Sequence, residues 1–244
     1  MSSVGIVLGG GGVTGASYEM AALMALELAT GWDPARADVI AALIEQGVEL
    51  AATSGGEAVR VWAFQPNMVD EFRKAGFRPE RELRQLRIDL PIHAEAALPP
   101  GFHEDRFRPS SDSEAWLEVN NAAFDWHPEN GSWTEEILAD RMAQDWFDPN
   151  AFVVVRHDTG MAGFCWTKAH DDLGEIYVIA VAPGFQGCGL GRFLVVRGLE
   201  VIHGYLGFGL GMLYMDADNT TAARLYDDLG FRLHHVDRSL IRRR

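Results

Sequence analysis

The chain has 244 residues, 48% of them hydrophobic and 23% charged, which is typical of a water-soluble globular protein with one large or two modest domains. Its formal net charge of −14 excludes nucleic acid as the main partner, because phosphate backbones are bound through clustered Lys and Arg side chains. The one basic run, Arg242–Arg244, is predicted to be a solvated tail.

The two cysteines, Cys165 and Cys188, cannot form a disulfide framework, and no Cys/His spacing indicates a metal site. No apolar run reaches the ~18 residues of a membrane span. The N-terminal stretch carries no Lys or Arg before Arg36, which disfavours a signal peptide. We therefore expect a cytoplasmic monomer that contacts neither a membrane nor nucleic acid.

Residues 1–40 are predicted to form a strand (Gly5–Leu8), a turn of four glycines and a helix (Ser17–Leu28). This segment resembles the start of patatin-like phospholipases, in which the glycine turn supplies oxyanion-hole N–H groups. Those hydrolases need a G-x-S-x-G nucleophile motif on the next strand. The nearest approximation is Ala52–Gly56, which lacks the first glycine, so an oxyanion hole would have no nucleophile to serve.

Residues 41–90 are predicted to include the strand Val59–Phe64, the helix Asn67–Ala75 and the long strand Glu80–Leu90. The following Pro91–Asp105 contains three prolines and is predicted to be a linker. Two segments of the chain are similar to each other: Val61–Arg87 and Leu213–Ile241. Both follow the order strand, polar turn, helix, Gly-Phe and strand. This similarity indicates a tandem repeat with a shortened first unit.

From Arg106 onward the predicted elements are denser. Ser132 and Glu135 have the spacing of a capping box at the start of a helix. The nearly unbroken apolar run Glu175–Pro183 is typical of a strand buried on both faces. The remaining predictions are the helices Ser111–Phe124, Glu135–Asp145, Arg192–Tyr205 and Thr220–Leu229, the hairpin Ala151–Lys168, and the strands Met212–Asp216 and Phe231–Asp237.

The strongest chemical signal is the glycine-rich turn Gln186–Gly191, directly after the buried strand and directly before a helix. Consecutive glycines let backbone N–H groups point into one concavity, and a helix N-terminus adds partial positive charge. Such a turn suits a pyrophosphate. An ordinary strand–helix turn is the alternative at this point.

This strand–turn–helix, followed by Asn219, Tyr226 and Gly230-Phe231, resembles the Gcn5-related N-acetyltransferase (GNAT) family over Arg106–Asp237. A closer similarity to the actinobacterial mycothiol synthase family is carried by His127–Thr134, Asp145–Pro149, Gly163–Lys168, Leu173–Pro183 and Leu213–Phe231. Members of that family hold two GNAT domains in tandem. They acetylate the cysteinyl amine of desacetylmycothiol (Cys-GlcN-Ins), a pseudo-disaccharide, with acetyl-CoA.

The resemblance implies an α/β (α+β) fold with a mixed, mostly antiparallel sheet flanked by helices, and a partial second GNAT domain on the N-terminal side. The expected organisation has four parts. They are a patatin-like fragment (1–40), a remnant of a first GNAT domain (41–90), a linker (91–105) and a complete GNAT domain (106–244).

The resemblance also implies the site. Glu175 is expected to receive the proton of the amine, and Tyr226 to protonate the departing thiolate; the alternatives are a surface carboxylate and a core tyrosine. Acetyl-CoA is expected to bind, with no metal, at Ile179, Ala180, Val181, Gln186, Gly187, Cys188, Gly189, Leu190, Gly191, Arg192, Asn219 and Arg224. Asn219 is equally a probable helix N-cap. The residues expected to bind the substrate are Glu129, Lys168, Glu175 and Tyr214.

We therefore expect an N-acetyltransferase of mycothiol biosynthesis. A CoA-binding protein with impaired turnover is the first alternative, because the first domain is cut short. A patatin-like lipid acyl hydrolase is the second.

Overall fold

The computed structural model describes residues 58–64, 66–127 and 132–243, together with Glu45. The patatin-like segment 1–40, its approximate nucleophile motif Ala52–Gly56 and Glu129 lie outside the described residues. The elements are β1 (Ala58–Ala63), α1 (Pro66–Lys74), β2 (Arg78–Asp89), β3 (His103–Arg106), α2 (Pro109–Ala123), α3 (Glu135–Met142), β4 (Phe152–His157), β5 (Gly160–Ala169), β6 (Gly174–Val181), α4 (Leu190–Gly204), β7 (Leu210–Asp216), α5 (Thr220–Leu229) and β8 (Arg232–Arg243).

The contacts divide the chain into two compact units, and the first contains the described residues up to Arg84, Asp216–Asp218 and the residues from His235 onward. In this unit β1 pairs antiparallel with β8, which is also hydrogen-bonded to β2. Alternate residues of β1 point to the same face. The apolar side chains form one small cluster: Val61, Ala63, Val69, Phe72, Phe77 and Leu240.

The second unit contains Gln85–Met215 and Asn219–His234. Its strands lie in the order β2-β7-β6-β5-β4-β3. The pairs from β3 to β6 are antiparallel, and β6 and β7 are parallel. None of the helices in the described part of the chain has the length and apolar content needed to span a bilayer.

Apolar side chains cover both faces of this sheet, because successive residues of a strand point to opposite sides. Cys165 belongs to the cluster that contains α4 and α5, whereas its neighbours Phe164 and Trp166 belong to the cluster that contains α2 and α3. Helix α4 lies close to the sheet at Gly198, where an added Cβ would meet the Cys165 Sγ at 2.4 Å. The prediction that Glu175–Pro183 is buried on both faces agrees with this arrangement.

Three local predictions differ from the structure. Arg242 and Arg243 are not a free tail, because they belong to β8 and pair with Val59 and Ala58 of β1. The cap of α3 is Thr134, whose hydroxyl accepts from the Ile137 N–H at 3.3 Å, so the predicted capping box at Ser132 is wrong. No strand was expected at β3, which pairs with β4 over its full length.

Candidate active site

The candidate site forms where β6 and β7 diverge. Their parallel pairing covers only Gly174–Ile176 and Gly211–Leu213, although β6 continues to Val181. On its other side β6 pairs with β5, and the register shifts because Tyr177 is an extra residue between Ile176 and Val178. Such a bulge bends the strand and strengthens its twist. Beyond it, the edge of β6 that faces β7 has no strand partner among the described residues, and Ile179, Ala180 and Val181 lie there.

The glycine-rich turn follows β6 and begins α4. Gly187 and Gly189 have φ of +81° and +93°, a left-handed conformation that favours glycine. An added Cβ at either glycine would meet nothing within 4 Å, so the backbone of the turn is open to close approach.

The amide groups of Gly187–Arg192 donate no hydrogen bond to an acceptor among the described residues, whereas the Gln186 N–H donates to the Pro183 carbonyl at 3.5 Å. The Phe193 N–H donates to the Gly189 carbonyl and starts the helical pattern, whereas no described acceptor receives a bond from the amides of Gly187–Arg192. Free amides at a helix N-terminus form a ready anion site, and the helix dipole adds to its positive potential. Arg192 lies half-buried in the same turn, and Arg224 is exposed on α5. The geometry therefore suits a pyrophosphate.

Glu175 stands at the start of β6, just before the divergence. Its exposed fraction is 7%, so it is not a solvated carboxylate at a strand end. The His170 Nε2 lies 2.7 Å from its Oε2. A buried carboxylate that keeps a hydrogen-bond donor can remain charged and can exchange a proton.

Lys168 and Tyr214 lie on the same face of the sheet as Glu175. Lys168 is directly opposite Glu175 in the β5–β6 register, and Met212 is opposite it in the β6–β7 register. Tyr214 follows Met212 by two residues and therefore shares its face. The Tyr214 hydroxyl accepts a hydrogen bond from the Gln85 Nε2 at 2.7 Å. Three of the four predicted substrate residues are thus brought onto neighbouring strands.

Tyr226 lies on α5, on the opposite face of the sheet. It is buried in the cluster that contains α4. Burial raises the pKa of its phenol, and the nearby Cys165 thiol adds to this shift, so the hydroxyl keeps its proton well above neutral pH. The start of α5 is fixed by Asn219, whose side chain caps the helix by accepting from the Ala222 N–H at 3.1 Å.

The sequence did not single out an aromatic pair around Lys168. The Lys168 Nζ lies 4.9 Å from the ring centre of Trp146 and 5.5 Å from that of Tyr177, both within cation–π range. Burial raises the pKa of Tyr177 to about 12; Arg141 acts against this shift and Glu175 adds to it. Trp146 lies in the Asp145–Pro149 motif, so the sequence could have singled out this residue, although not its contact with Lys168.

The cysteines show no sign of nucleophilic activation. Cys165 is buried, and burial raises the pKa of its thiol. Cys188 is exposed in the glycine turn, where its thiol donates to the Phe185 carbonyl at 3.0 Å. Within the described ranges, no group of three or more His, Cys, Asp or Glu side chains is arranged to hold a metal ion.

The chain is similar to a known protein family and to a solved structure. A family model described as the acetyltransferase (GNAT) family matches residues 116–231. The solved structure of a GCN5-related N-acetyltransferase from Sphaerobacter thermophilus superposes with a TM-score of 0.69 at 23% identity, over 82% of this chain and 66% of its own. The fold and the divergent strands therefore define a GNAT acetyltransferase, as the sequence predicted.

The sequence relatives are more specific. The mycothiol acetyltransferase of Acidimicrobium ferrooxidans is 39% identical over 84% of this chain and 69% of its own length. That of Streptomyces griseus subsp. griseus is 45% identical over 77% of this chain and 62% of its own. The chain belongs to the mycothiol acetyltransferase family, which confirms the predicted resemblance, and it spans about two thirds of the length of these relatives.

Proposed function

We propose that the chain is an acetyl-CoA-dependent N-acetyltransferase that acetylates the cysteinyl amine of desacetylmycothiol in mycothiol biosynthesis. The observation that carries this proposal is the series of unused amides at Gly187–Arg192 beside the unpaired edge of β6. The amides hold the CoA pyrophosphate, with Gln186 and Arg224 beside them. The edge at Ile179, Ala180 and Val181 offers backbone hydrogen bonds to the pantetheine arm and the thioester carbonyl.

The two proposed catalytic groups lie on opposite faces of the sheet, and the divergence of β6 from β7 opens a path between them. Glu175 takes a proton from the substrate ammonium on one face, which frees the nitrogen lone pair to attack the thioester carbon. As the carbon–sulfur bond breaks, Tyr226 donates its proton to the thiolate on the other face. What supports Tyr226 as the donor is its place on α5, on the face of the sheet where α4 lies; burial raises its pKa, which keeps the phenol protonated but makes it a weaker acid.

The acceptor is proposed to bind on the Glu175 face. Lys168 and Tyr214 offer an ammonium and a phenol there, which suit the many hydroxyl groups of a sugar–inositol ligand. The fourth proposed residue, Glu129, lies outside the described residues. Trp146 and Tyr177 hold the Lys168 ammonium in place.

A second function is acetyl-CoA binding with impaired turnover. It follows if, as we propose, the first of two tandem GNAT domains is reduced to residues 41–90. Residues 1–40 are then a patatin-like fragment, 91–105 a linker and 106–244 the complete domain. We further propose a cytoplasmic monomer without a metal, nucleic acid or membrane partner.

A steady-state assay with acetyl-CoA and Cys-GlcN-Ins separates these readings. Acetylated product that forms with release of free CoA thiol is the expected result. If calorimetry shows acetyl-CoA binding while no product appears, the second function holds instead. Release of p-nitrophenol from an acyl ester, abolished by Ser54→Ala, would point to a hydrolase.

A further inference from the structure

His170 is a half-buried hydrogen-bond partner of Glu175 that the expected chemistry does not use. It lies in the short connection between β5 and β6, and its backbone N–H donates to the Leu173 carbonyl at 2.9 Å, which closes the loop. The His170 side chain is 33% exposed, and that of Glu175 is 9% exposed. The contact therefore joins a partly exposed imidazole to a buried carboxylate.

The donor in this contact is fixed by the chemistry of the carboxylate. An ionised Glu175 can only accept hydrogen bonds, so the His170 Nε2 must carry the proton and donate it to Oε2. That bond fixes the carboxylate rotamer and occupies one oxygen. The second oxygen, Oε1, keeps its lone pairs for the proton of the incoming amine.

We propose that His170 is a positioning residue for acetyl transfer: it orients Glu175 so that one carboxylate oxygen is presented to the acceptor amine. The proposal rests on the proposed function and deepens it. A carboxylate without this donor would be free to rotate away, and small misplacements of a reacting group cost large factors in rate.

The charged and titratable groups near Glu175 include Lys168, its cross-strand neighbour, and Tyr177 on β6, which also interacts with Arg141 on α3. Lys168 is held over two rings, and Tyr177 stays neutral at working pH because its pKa is raised to about 12.

The test compares His170→Ala and His170→Gln with His103→Ala, a matched control at an exposed position on β3. With acetyl-CoA and Cys-GlcN-Ins as substrates, His170→Ala should lower kcat by about tenfold or more while the KM for acetyl-CoA is unchanged. The Gln variant should recover most of the rate, because its side-chain amide can donate the same hydrogen bond to Glu175. His103→Ala should behave like the wild type.

The proposal is overturned if His170→Ala keeps the wild-type kcat, or if the Gln variant is as impaired as the Ala variant. Circular dichroism and acetyl-CoA calorimetry check that each variant is folded. A wild-type chain that binds acetyl-CoA but makes no product overturns the proposed function instead. The hydrogen bond between His170 and Glu175 is then measured by ¹⁵N NMR, where Glu175→Gln should shift the His170 Nε2 resonance. An unchanged resonance would refute the proposal that His170 positions Glu175.

Discussion

At the scale of single residues, Tyr226 has two interpretations. Its position in the core suits a purely structural tyrosine. The proposed function instead makes its phenol the proton donor, although burial raises its pKa and makes it a weaker acid. Removal of a hydroxyl that only packs leaves turnover nearly unchanged, whereas removal of a proton donor lowers it.

Tyr226→Phe removes the hydroxyl and keeps the ring that packs against Phe231 at 5.4 Å. We expect kcat to fall by about 10²-fold, the lower range of general acid catalysis, with the acetyl-CoA dissociation constant nearly unchanged. Rates are measured from pH 7 to 9 and affinity by calorimetry. Tyr205→Phe is the matched control, because the exposed Tyr205 loses the same atom, whose hydrogen-bond partners are Asp148 and Asn150. Equal rates for the two variants would remove the acid role.

The residues of the site were unequally accessible to sequence reasoning. Glu175 could be found because it precedes a recognisable apolar strand, and Asn219 because the start of a helix follows it. His170 could not be found, because its contact with Glu175 depends on how the loop between β5 and β6 turns. The Trp146 ring reaches Lys168 from a segment distant in sequence, a tertiary contact that no local pattern encodes.

At the scale of elements, the start of α4 does two things at once. Gly189 ends the turn in a left-handed conformation, and it leaves the amides of the first helical turn pointing away from any described acceptor. The conformation of the turn and the proposed phosphate binding therefore depend on the same residue. A substitution test needs a control variant that separates the two effects.

Gly189→Val places a branched side chain where the pyrophosphate is proposed to approach. We expect at least a tenfold rise in the acetyl-CoA dissociation constant by calorimetry, in addition to a conformational cost of about 1–2 kcal/mol. Gly207→Val is the matched control, since Gly207 has φ of +84° and open space around its Cβ but lies beyond the C-terminus of α4. Both variants should lose similar stability, and only Gly189→Val should lose affinity. Unchanged affinity in Gly189→Val would remove the phosphate site.

Elements of the second unit were largely predictable, because their apolar periodicity matches the faces they bury. The resemblance to the GNAT family implies a bulge in the strand Glu175–Val181. Its exact place at Tyr177 was not predictable, since a strand pattern does not reveal where its neighbour slips by one residue. The extension of β8 to Arg243 was not predictable either, because its basic residues have the pattern of a solvent-exposed tail. Their pairing with β1 depends on a strand far away in the sequence.

At the scale of the whole molecule, the net charge of −14 opposes an anionic ligand such as CoA. This repulsion is screened beyond ~8 Å at physiological ionic strength, whereas hydrogen bonds from the turn act at contact distance. Under the proposed function, local amides therefore decide CoA binding, and the global charge mainly slows encounter. Binding of the donor can then be tested apart from capture of the acceptor.

That separation gives a prediction for the full chain without any acceptor present. Acetyl-CoA at about 100 times its dissociation constant should stabilise the fold by about 2.7 kcal/mol, which corresponds to a rise in Tm of about 5–10 °C for a domain of this size. Differential scanning calorimetry measures the shift. Acetyl-pantetheine lacks the pyrophosphate and should give little shift at the same concentration. Equal shifts from both ligands would place the binding energy in the pantetheine arm along β6 rather than in the amides of Gly187–Arg192.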